Sequence, residues 1–525
     1  MGLYLNPGNR MFQMMLNSDF YVDKTGLASF MNAKMCRDGR FVCVSRPRRF
    51  GKSVDADMLV AYYTRGADSR AQFEGLGVSR DPSFEEHLNK HDTIKVDVQR
   101  IMDLTGAAPG EAAAAVADRV LPEIRAEWPK VVPERCDSLA EALELAANAK
   151  GSGFVMIVDE WDFVMRAAQD DDAAQRSWLD FLRALFKGSQ AIDACYMTGI
   201  LPIRKYGQHS ALNLFTEYSM TDPKDMPHLF GFNADEVERL CGRFGMEYSE
   251  MARWYDGYVL GDERIHVYNP RSVAGAISSG KYSSFWTDTE TYEALQRYID
   301  IDFDGVASDL VRMLDAAKVP AEVEGFSNTM TDFRDKDDVY ALLVHLGYLG
   351  FDQVERAVFI PNEEIRREFV NALRGGARPG LAQLARESRE LIRATCDGDE
   401  AYVADALQRA HSWAASPRYY NDEQALRAAV KFAYIAGIDD YLRIDELPGG
   451  RGYADLVFVP KPGSALPPLV VELKWDKPVK AAIDQIRQRD YPAALAGLGG
   501  ECVLAGVTYD ERSCEHTCAI ERMSL

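Results

Sequence analysis

The chain has 525 residues, 47% of them hydrophobic and 10% aromatic, which excludes a disordered polypeptide and leaves room for two or three domains with sizeable cores. Its formal net charge of −21 excludes a broadly basic surface that coats nucleic acid, while a local basic groove or a carboxylate-lined metal site stays compatible with it. No apolar run reaches membrane-spanning length, the first residues carry no signal or myristoylation pattern, and nine scattered cysteines suit reduced thiols, so a cytoplasmic protein with no membrane partner is expected.

Residues 1–265 alternate strand and helix patterns. Phe41–Val44, Ile94–Val98, Phe154–Val158 and Ala194–Met197 are apolar runs of strand length, and Gly110–Glu127 and Leu139–Ala147 have helical periodicity. That alternation predicts an α/β fold, a parallel sheet with helices on both faces. The first strand runs into Ser45-Arg46-Pro47-Arg48-Arg49-Phe50-Gly51-Lys52-Ser53 and then a helical pattern from Val54 to Tyr63. Strand, loop, Gly-Lys-Ser and helix is the context of a phosphate-binding loop, in which glycine admits the phosphate, lysine reaches the β/γ-phosphates and serine binds Mg²⁺. Arg46 stands where that motif usually begins with glycine, and Arg48 and Arg49 make the loop unusually basic; a basic turn capping a helix is the competing reading. Arg46, Arg48, Arg49, Gly51, Lys52 and Ser53 are the candidate nucleotide contacts. The third strand ends in Asp159-Glu160, where the first acid would hold Mg²⁺ together with Ser53 and the second would orient the attacking water. Thr198, ending the fourth strand, is either a γ-phosphate sensor or a satisfied strand-end hydroxyl, and Arg204 and Lys205 follow as candidates to stabilise transferred charge.

Residues 266–410 are mostly helical in pattern, including Asp338–Leu349 and the charged stretch Glu363–Cys396, of which Glu363 to Glu390 reads as a solvated face. Trp254, Tyr255, Tyr258, Tyr268 and Trp286 read as packing residues, and His209 and His345 as structural. From 411 to the end the α/β pattern returns, with a helix at Glu423–Ile435 and strands at Tyr441–Ile444, Ala454–Val459, Leu469–Trp475 and Cys502–Val507. Side chains alternate on a strand, so Glu472 and Lys474 share a face, and pairing through the turn Pro460–Pro468 would bring Asp455 to Glu472. Two carboxylates there would bind Mg²⁺ or Mn²⁺, and Lys474 would orient a water attacking a phosphodiester. A surface hairpin with a cross-strand ion pair, or a fold that binds without cutting, are the alternatives. Cys514-Glu515-His516-Thr517-Cys518 has no second Cys/His pair nearby and reads as an isolated cluster.

Five stretches, Phe20-Tyr21-Val22-Asp23-Lys24-Thr25, Arg46 to Ser53, Val158-Asp159-Glu160-Trp161-Asp162, Trp254-Tyr255-Asp256-Gly257-Tyr258 and Tyr268-Asn269-Pro270-Arg271-Ser272, resemble the bacterial AAA-ATPase-like family in the family's order. Members of that family are commonly joined to a C-terminal nuclease-type domain of the PD-(D/E)XK superfamily, which Asp455, Glu472 and Lys474 resemble in turn. The resemblance accounts for Arg46, since the family has Arg-Pro-Arg-Arg-Phe-Gly-Lys-Ser/Thr here. It has tyrosine where Trp161 stands, and its Ser-Gly-Leu-Asn-Asn stretch is degraded to Ser210-Ala211-Leu212-Asn213-Leu214. The resemblance implies a P-loop ATPase over 1–265, a helical middle over 266–410 and a restriction-endonuclease-like domain over 411–525. It also implies Glu423 as an additional metal-binding helical acid, and matches Gln485 and Tyr491 to family positions. The implied ligands are ATP, Mg²⁺ or Mn²⁺, and nucleic acid, DNA ahead of RNA; a homo-oligomer is compatible. The implied function is ATP hydrolysis with metal-dependent cleavage of nucleic acid. The alternative is a nucleotide-switched regulatory protein whose nuclease-like domain only docks its partner.

Overall fold

The computed structural model of the chain describes residues 2–525 apart from 204–211, 287–294, 296–304, 315, 324–332, 334, 376–378, 415–422, 439, 450–451, 462–463 and 490. Arg204, Lys205, His209, Ser210 and Ala211 therefore lie outside the described residues. The chain divides into two compact units, Met1–Phe285 with Pro320–Glu364, and Trp286–Val319 with Ile365–Leu525. These units interleave along the chain, whereas the sequence is read above as three consecutive segments.

The first unit is built on five parallel strands, β1 (Phe41–Ser45), β2 (Thr93–Asp97), β3 (Phe154–Asp159), β4 (Ile192–Gly199) and β5 (Thr216–Tyr218), in the order β2-β3-β4-β1-β5. The four expected strands form with their ends within two residues of the apolar runs; β5 is too short to have shown. β1 and β3 are buried along their whole length, as a parallel sheet covered on both faces requires. Val42, Val44, Val155, Ile157, Ala194 and Tyr196 face one core with helices α1 (Arg10–Leu16), α2 (Gly26–Lys34) and α3 (Lys52–Tyr63). On the other face Phe41 meets Phe186, the last residue of the helix Asp172–Phe186, at 5.6 Å between ring centroids. The register sets Ser45 opposite Gly199 and Asp97 opposite Asp159, so the strands' carboxyl ends share one edge, where ligands of such sheets bind.

A small antiparallel sheet follows, β6 (Phe232–Asn233), β7 (Tyr258–Leu260) and β8 (Ile265–Tyr268), in the order β6-β8-β7. Two family-like stretches serve this part of the fold. Asn269 caps the helix Pro270–Ser279 by accepting from Arg271 N at 2.9 Å, with proline at the first helical position. Asp256 accepts from His266 Nδ1 at 2.9 Å, and Tyr258 donates its hydroxyl to the carbonyl of Gly347 at 2.7 Å. Next in the chain are β9 (Val319–Pro320), the buried helix Lys336–Leu346, and the hairpin β10 (Gly350–Asp352) with β11 (Ala357–Phe359). The charged stretch read as one pattern over Glu363–Cys396 is two helices, Glu363–Gly375 and Pro379–Asp397. Pro379 opens the second, where its missing N–H costs nothing.

The second unit carries a mixed sheet, β12 (Tyr441–Gly449), β13 (Gly452–Pro460), β14 (Leu469–Trp475), β15 (Glu501–Asp510) and β16 (Glu515–Ser524), in chain order. Only β14 and β15 run parallel, and the helix Val479–Arg489 makes the crossover that a parallel pair needs. Val457, Val470, Ile483, Ile486 and Leu504 form the core between that helix and the sheet. The Cys514–Cys518 segment largely belongs to β16 rather than to a loop, with His516 Nδ1 paired to Gln408 Oε1 at 2.7 Å. All nine cysteines are free thiols, and no helix among the described residues is long and apolar enough to cross a membrane.

Candidate functional site

The loop between β1 and α3 wraps the start of a helix. Gly51 sits at φ 89°, a left-handed conformation that glycine adopts freely, and hands the chain into α3. Arg49 is also left-handed, at φ 69°, so the turn is tight. Lys52 is buried, and its Nζ donates to the carbonyls of Arg46 at 2.9 Å and Pro47 at 2.8 Å, closing the loop upon its own ammonium. Burial lowers the Lys52 pKa, against the charges of Glu160 and Asp159 nearby.

Ser53, exposed at the next position, lies beside the Asp159 carboxylate at the end of β3. Asp159 is 1% exposed; burial raises its pKa, and the Ser53 hydroxyl works in the opposite direction. Glu160 follows at φ 54°, with its N–H on Asp159 Oδ1 at 3.0 Å. That left-handed turn points the two consecutive acids to different places. The Glu160 carboxylate is ion-paired with Arg166, while burial raises its pKa. Arg166 Nε also donates to Asp162 at 3.2 Å, and Asp162 accepts from the N–H groups of Ile200 at 3.0 Å and Leu201 at 2.8 Å. Asp162 thus fixes the chain leaving β4 against the acidic turn. Asp97, ending β2, adds negative charge beside Asp159. Sequence reasoning missed Asp97, Asp162 and Arg166, although Asp162 stands within the quoted motif; their partners are set by the sheet, not by spacing.

One expectation changes in detail. Arg46 is 0% exposed, donates to the carbonyls of Ser45 at 3.0 Å and Tyr218 at 2.9 Å, and lies over the Phe230 ring at 5.4 Å. Its place is under the loop, joining β1 to β5, rather than toward a phosphate, and burial pushes its pKa down to about 10. Thr198 donates its hydroxyl to the carbonyl of Val44 at 3.0 Å, which ties β4 to β1. Of the other arginines, Arg49 donates to the carbonyl of Phe285 at 2.7 Å, and Arg48 is partly exposed. The Ser53 hydroxyl and the Asp159 carboxylate beside it are hard oxygen donors of the kind Mg²⁺ takes.

In the second unit, β13 and β14 bring together the residues expected there. Asp455 accepts from the N–H of Leu473 at 2.8 Å and from Arg427 Nη2 at 2.5 Å. Glu472 is 1% exposed; its Oε1 accepts from Lys474 Nζ at 2.9 Å and from the Gln485 amide. Gln485 Nε2 lies 3.4 Å from the Tyr491 hydroxyl, so the helix Val479–Arg489 supports the acid from behind. Glu472 Oε2 is buried without a hydrogen-bond partner among the described residues. Burial, and secondly the charge of Asp455, push Glu472 up to about 7. An orphaned buried carboxylate oxygen beside a second carboxylate fits a divalent cation. No group of three or more His, Cys, Asp or Glu residues is so placed among the described residues. Glu423 opens the helix Glu423–Ala433, but its side chain lies outside what the structure describes. Arg427, one turn later on that helix, is the residue that sequence reasoning missed.

Residues 8–208 match the family model of a predicted AAA-ATPase. That match covers β1 to β4, the phosphate-type loop and the acidic strand end, and supports ATP binding and hydrolysis by this part of the chain. The chain is also 24% identical over 531 residues to a protein of Azotobacter chroococcum mcd 1 described as an uncharacterized protein in the vnfD 5' region. The alignment spans 94% of this chain and 93% of that relative, so the similarity continues past the ATPase-like part into the second unit.

Proposed function

We propose that this chain binds and hydrolyses ATP at the β1–α3 loop and cuts phosphodiester bonds of nucleic acid at the β13–β14 hairpin, the first activity gating the second. The observation that carries the ATPase reading is the meeting of the loop with the acidic strand end, where the Ser53 hydroxyl and the Lys52 ammonium both favour the charged form of the buried Asp159 carboxylate. Lys52, held by two loop carbonyls, exchanges them for the β- and γ-phosphate oxygens. Ser53 and Asp159 hold Mg²⁺, and Glu160 orients the hydrolytic water. In the second unit Asp455 and Glu472 hold Mg²⁺ or Mn²⁺, which when bound supplies charge neutralisation at the scissile phosphate. Lys474, fixed by Glu472 and the carbonyl of Leu473 at 2.8 Å, positions the attacking water.

The Arg427–Asp455 ion pair favours a second reading, a switch that docks nucleic acid without cutting, because a cation already neutralises one of the two acids. Labelled double-stranded DNA, single-stranded DNA and RNA, incubated with Mg²⁺ or Mn²⁺ with and without ATP, separate the two. Cleavage by wild type that vanishes in Lys474→Ala supports the nuclease, and absence of cleavage in every lane leaves the switch. ATP turnover abolished in Lys52→Ala supports the ATPase. Nuclease activity of Lys52→Ala equal to wild type at every ATP concentration sinks the gating.

A further inference from the structure

Three of the stretches that resemble the ATPase-like family converge, through Arg49, Tyr255 and Ser272, on one short segment, residues 283–285. The segment lies outside helix and strand, and side chains hold its backbone. The Tyr255 hydroxyl donates to the carbonyl of Ser283 at 2.8 Å and accepts from the N–H of Ser283 at 3.1 Å. Glu364, a buried carboxylate, accepts from the N–H of Phe285 at 2.7 Å and from the Ser272 hydroxyl at 2.8 Å. Arg49 Nη1 donates to the carbonyl of Phe285 at 2.7 Å. Phe285 is the last residue of the first unit before the chain passes into the second, and Glu364 is the last before it passes over for good. Within the first unit, then, Glu364 ties these two exits to each other and Arg49 ties them to the phosphate-type loop.

Arg49 holds φ 69°, a left-handed conformation that is uncommon for a residue with a side chain and that marks a constraint on the loop. The carbonyl it grips is neutral. A guanidinium bonds an ionised oxygen more strongly than a neutral one, and a phosphate offers two such oxygens at the spacing of its fork. Phosphates at the loop therefore outcompete the Phe285 carbonyl for Arg49. We propose that Arg49 is a nucleotide-responsive latch: it holds Phe285 until phosphates reach the loop, then turns to them and loosens residues 283–285, where the chain leaves the first unit. The inference rests on the nucleotide reading above and gives the gating a physical route. The two carbonyls that Lys52 gives up belong to the loop itself, whereas Phe285 stands 236 residues further along the chain than Arg49. The exchange at Arg49 thus carries the occupancy of the loop out of the loop.

Hydrogen exchange of the full chain, read by mass spectrometry on the peptide that covers residues 283–285, tests this with the non-hydrolysable imido analogue of ATP and Mg²⁺, at a concentration that calorimetry shows to be saturating. Exchange of an amide reports the local opening that breaks its hydrogen bond. Wild type is expected to exchange here about tenfold faster with the analogue bound, the worth of one charge-assisted hydrogen bond. Arg49→Ala is expected to exchange at the fast rate already and to show no further change on binding. Tyr255→Phe, which removes a grip that does not come from the loop, exchanges faster throughout and keeps its response to the analogue, so a latch is separated from simple loosening. Exchange in wild type that is unchanged or slowed by the bound analogue overturns the latch and leaves the nucleotide reading intact, as does a response that survives in Arg49→Ala. The wild-type comparison decides alone if Arg49→Ala fails to fold. Absence of any calorimetric binding of the analogue overturns the nucleotide reading and the latch with it.

Discussion

Glu160 and Asp159 are adjacent acids given different work by one left-handed residue. Asp159 stays in line with β3 and meets Ser53, while Glu160, at φ 54°, turns to Arg166. Glu160→Gln should therefore keep ATP binding and lower turnover by about 10² to 10⁴, the usual worth of a positioned general base. Arg166→Ala should act through Glu160: loss of the cation disfavours the charged carboxylate, so its pKa rises. The acidic limb of the turnover–pH profile should then move to higher pH, and an unmoved limb would remove Arg166 from the mechanism. In the second unit Arg427→Ala frees Asp455 and leaves its charge uncompensated, at a cost of roughly 1–3 kcal/mol. Mn²⁺ should raise the melting temperature of that variant more than of wild type, since metal replaces the missing cation by linkage. Equal shifts would mean that Arg427 does not compete with metal. Gly51, Lys52, Ser53, Asp159 and Glu160 were legible because their relation is local, a loop and a strand end. Arg166 and Arg427 were not, because an arginine's partner is chosen by the fold.

At the scale of elements, the long strands were legible from apolar runs, since strands buried on both faces leave no polar alternation. The three-residue β5 and two-residue β6 are too short for any period to appear, and β16 mixes polar and apolar residues because its exposure alternates only in part. The Trp-Tyr-Asp-Gly-Tyr stretch was read as packing, and the structure supplies the reason for its glycine. Gly257 sits at φ 109°, and a Cβ there would stand 1.9 Å from the carbonyl oxygen of Pro361. Gly257→Ala should destabilise the first unit by about 3 kcal/mol or more, combining backbone strain with a contact that only backbone movement relieves. Gly66, at φ 83° with nothing within 4 Å of its Cβ position, separates the two causes. Gly66→Ala should cost about 1 kcal/mol from strain alone, read as a smaller fall in the urea midpoint at constant slope. Equal midpoints for the two variants would show that Pro361 yields freely.

For the whole molecule, net charge and composition set limits without choosing a fold, and the return of Pro320–Glu364 to the first unit is a tertiary event that no local pattern announces. One global property does follow from the burial of particular histidines. Burial is the largest cause holding His91 and His411 down at about 4 and His345 and His516 down at about 3, two in each unit. The folded state keeps these rings neutral, whereas the unfolded chain protonates them near their ordinary pKa of about 6.5. Between about pH 6.5 and 4 the unfolded chain binds more protons, so stability is fully present above that window and is lost as the pH falls through it. Each histidine contributes a slope of up to about 1.4 kcal/mol per pH unit. Glu472 opposes this: its pKa, raised to about 7, takes stability away as the pH rises from about 4.5 to 7. The net profile therefore says little, and the slope difference between variants says more. His345→Gln should flatten the dependence of unfolding free energy on pH between 4 and 6.5 by about one proton's worth in the first unit, and His516→Gln should do so in the second. Because a slope is compared, any constant loss of packing in the variant cancels; an unchanged slope would mean that the ring is already protonated in the folded state.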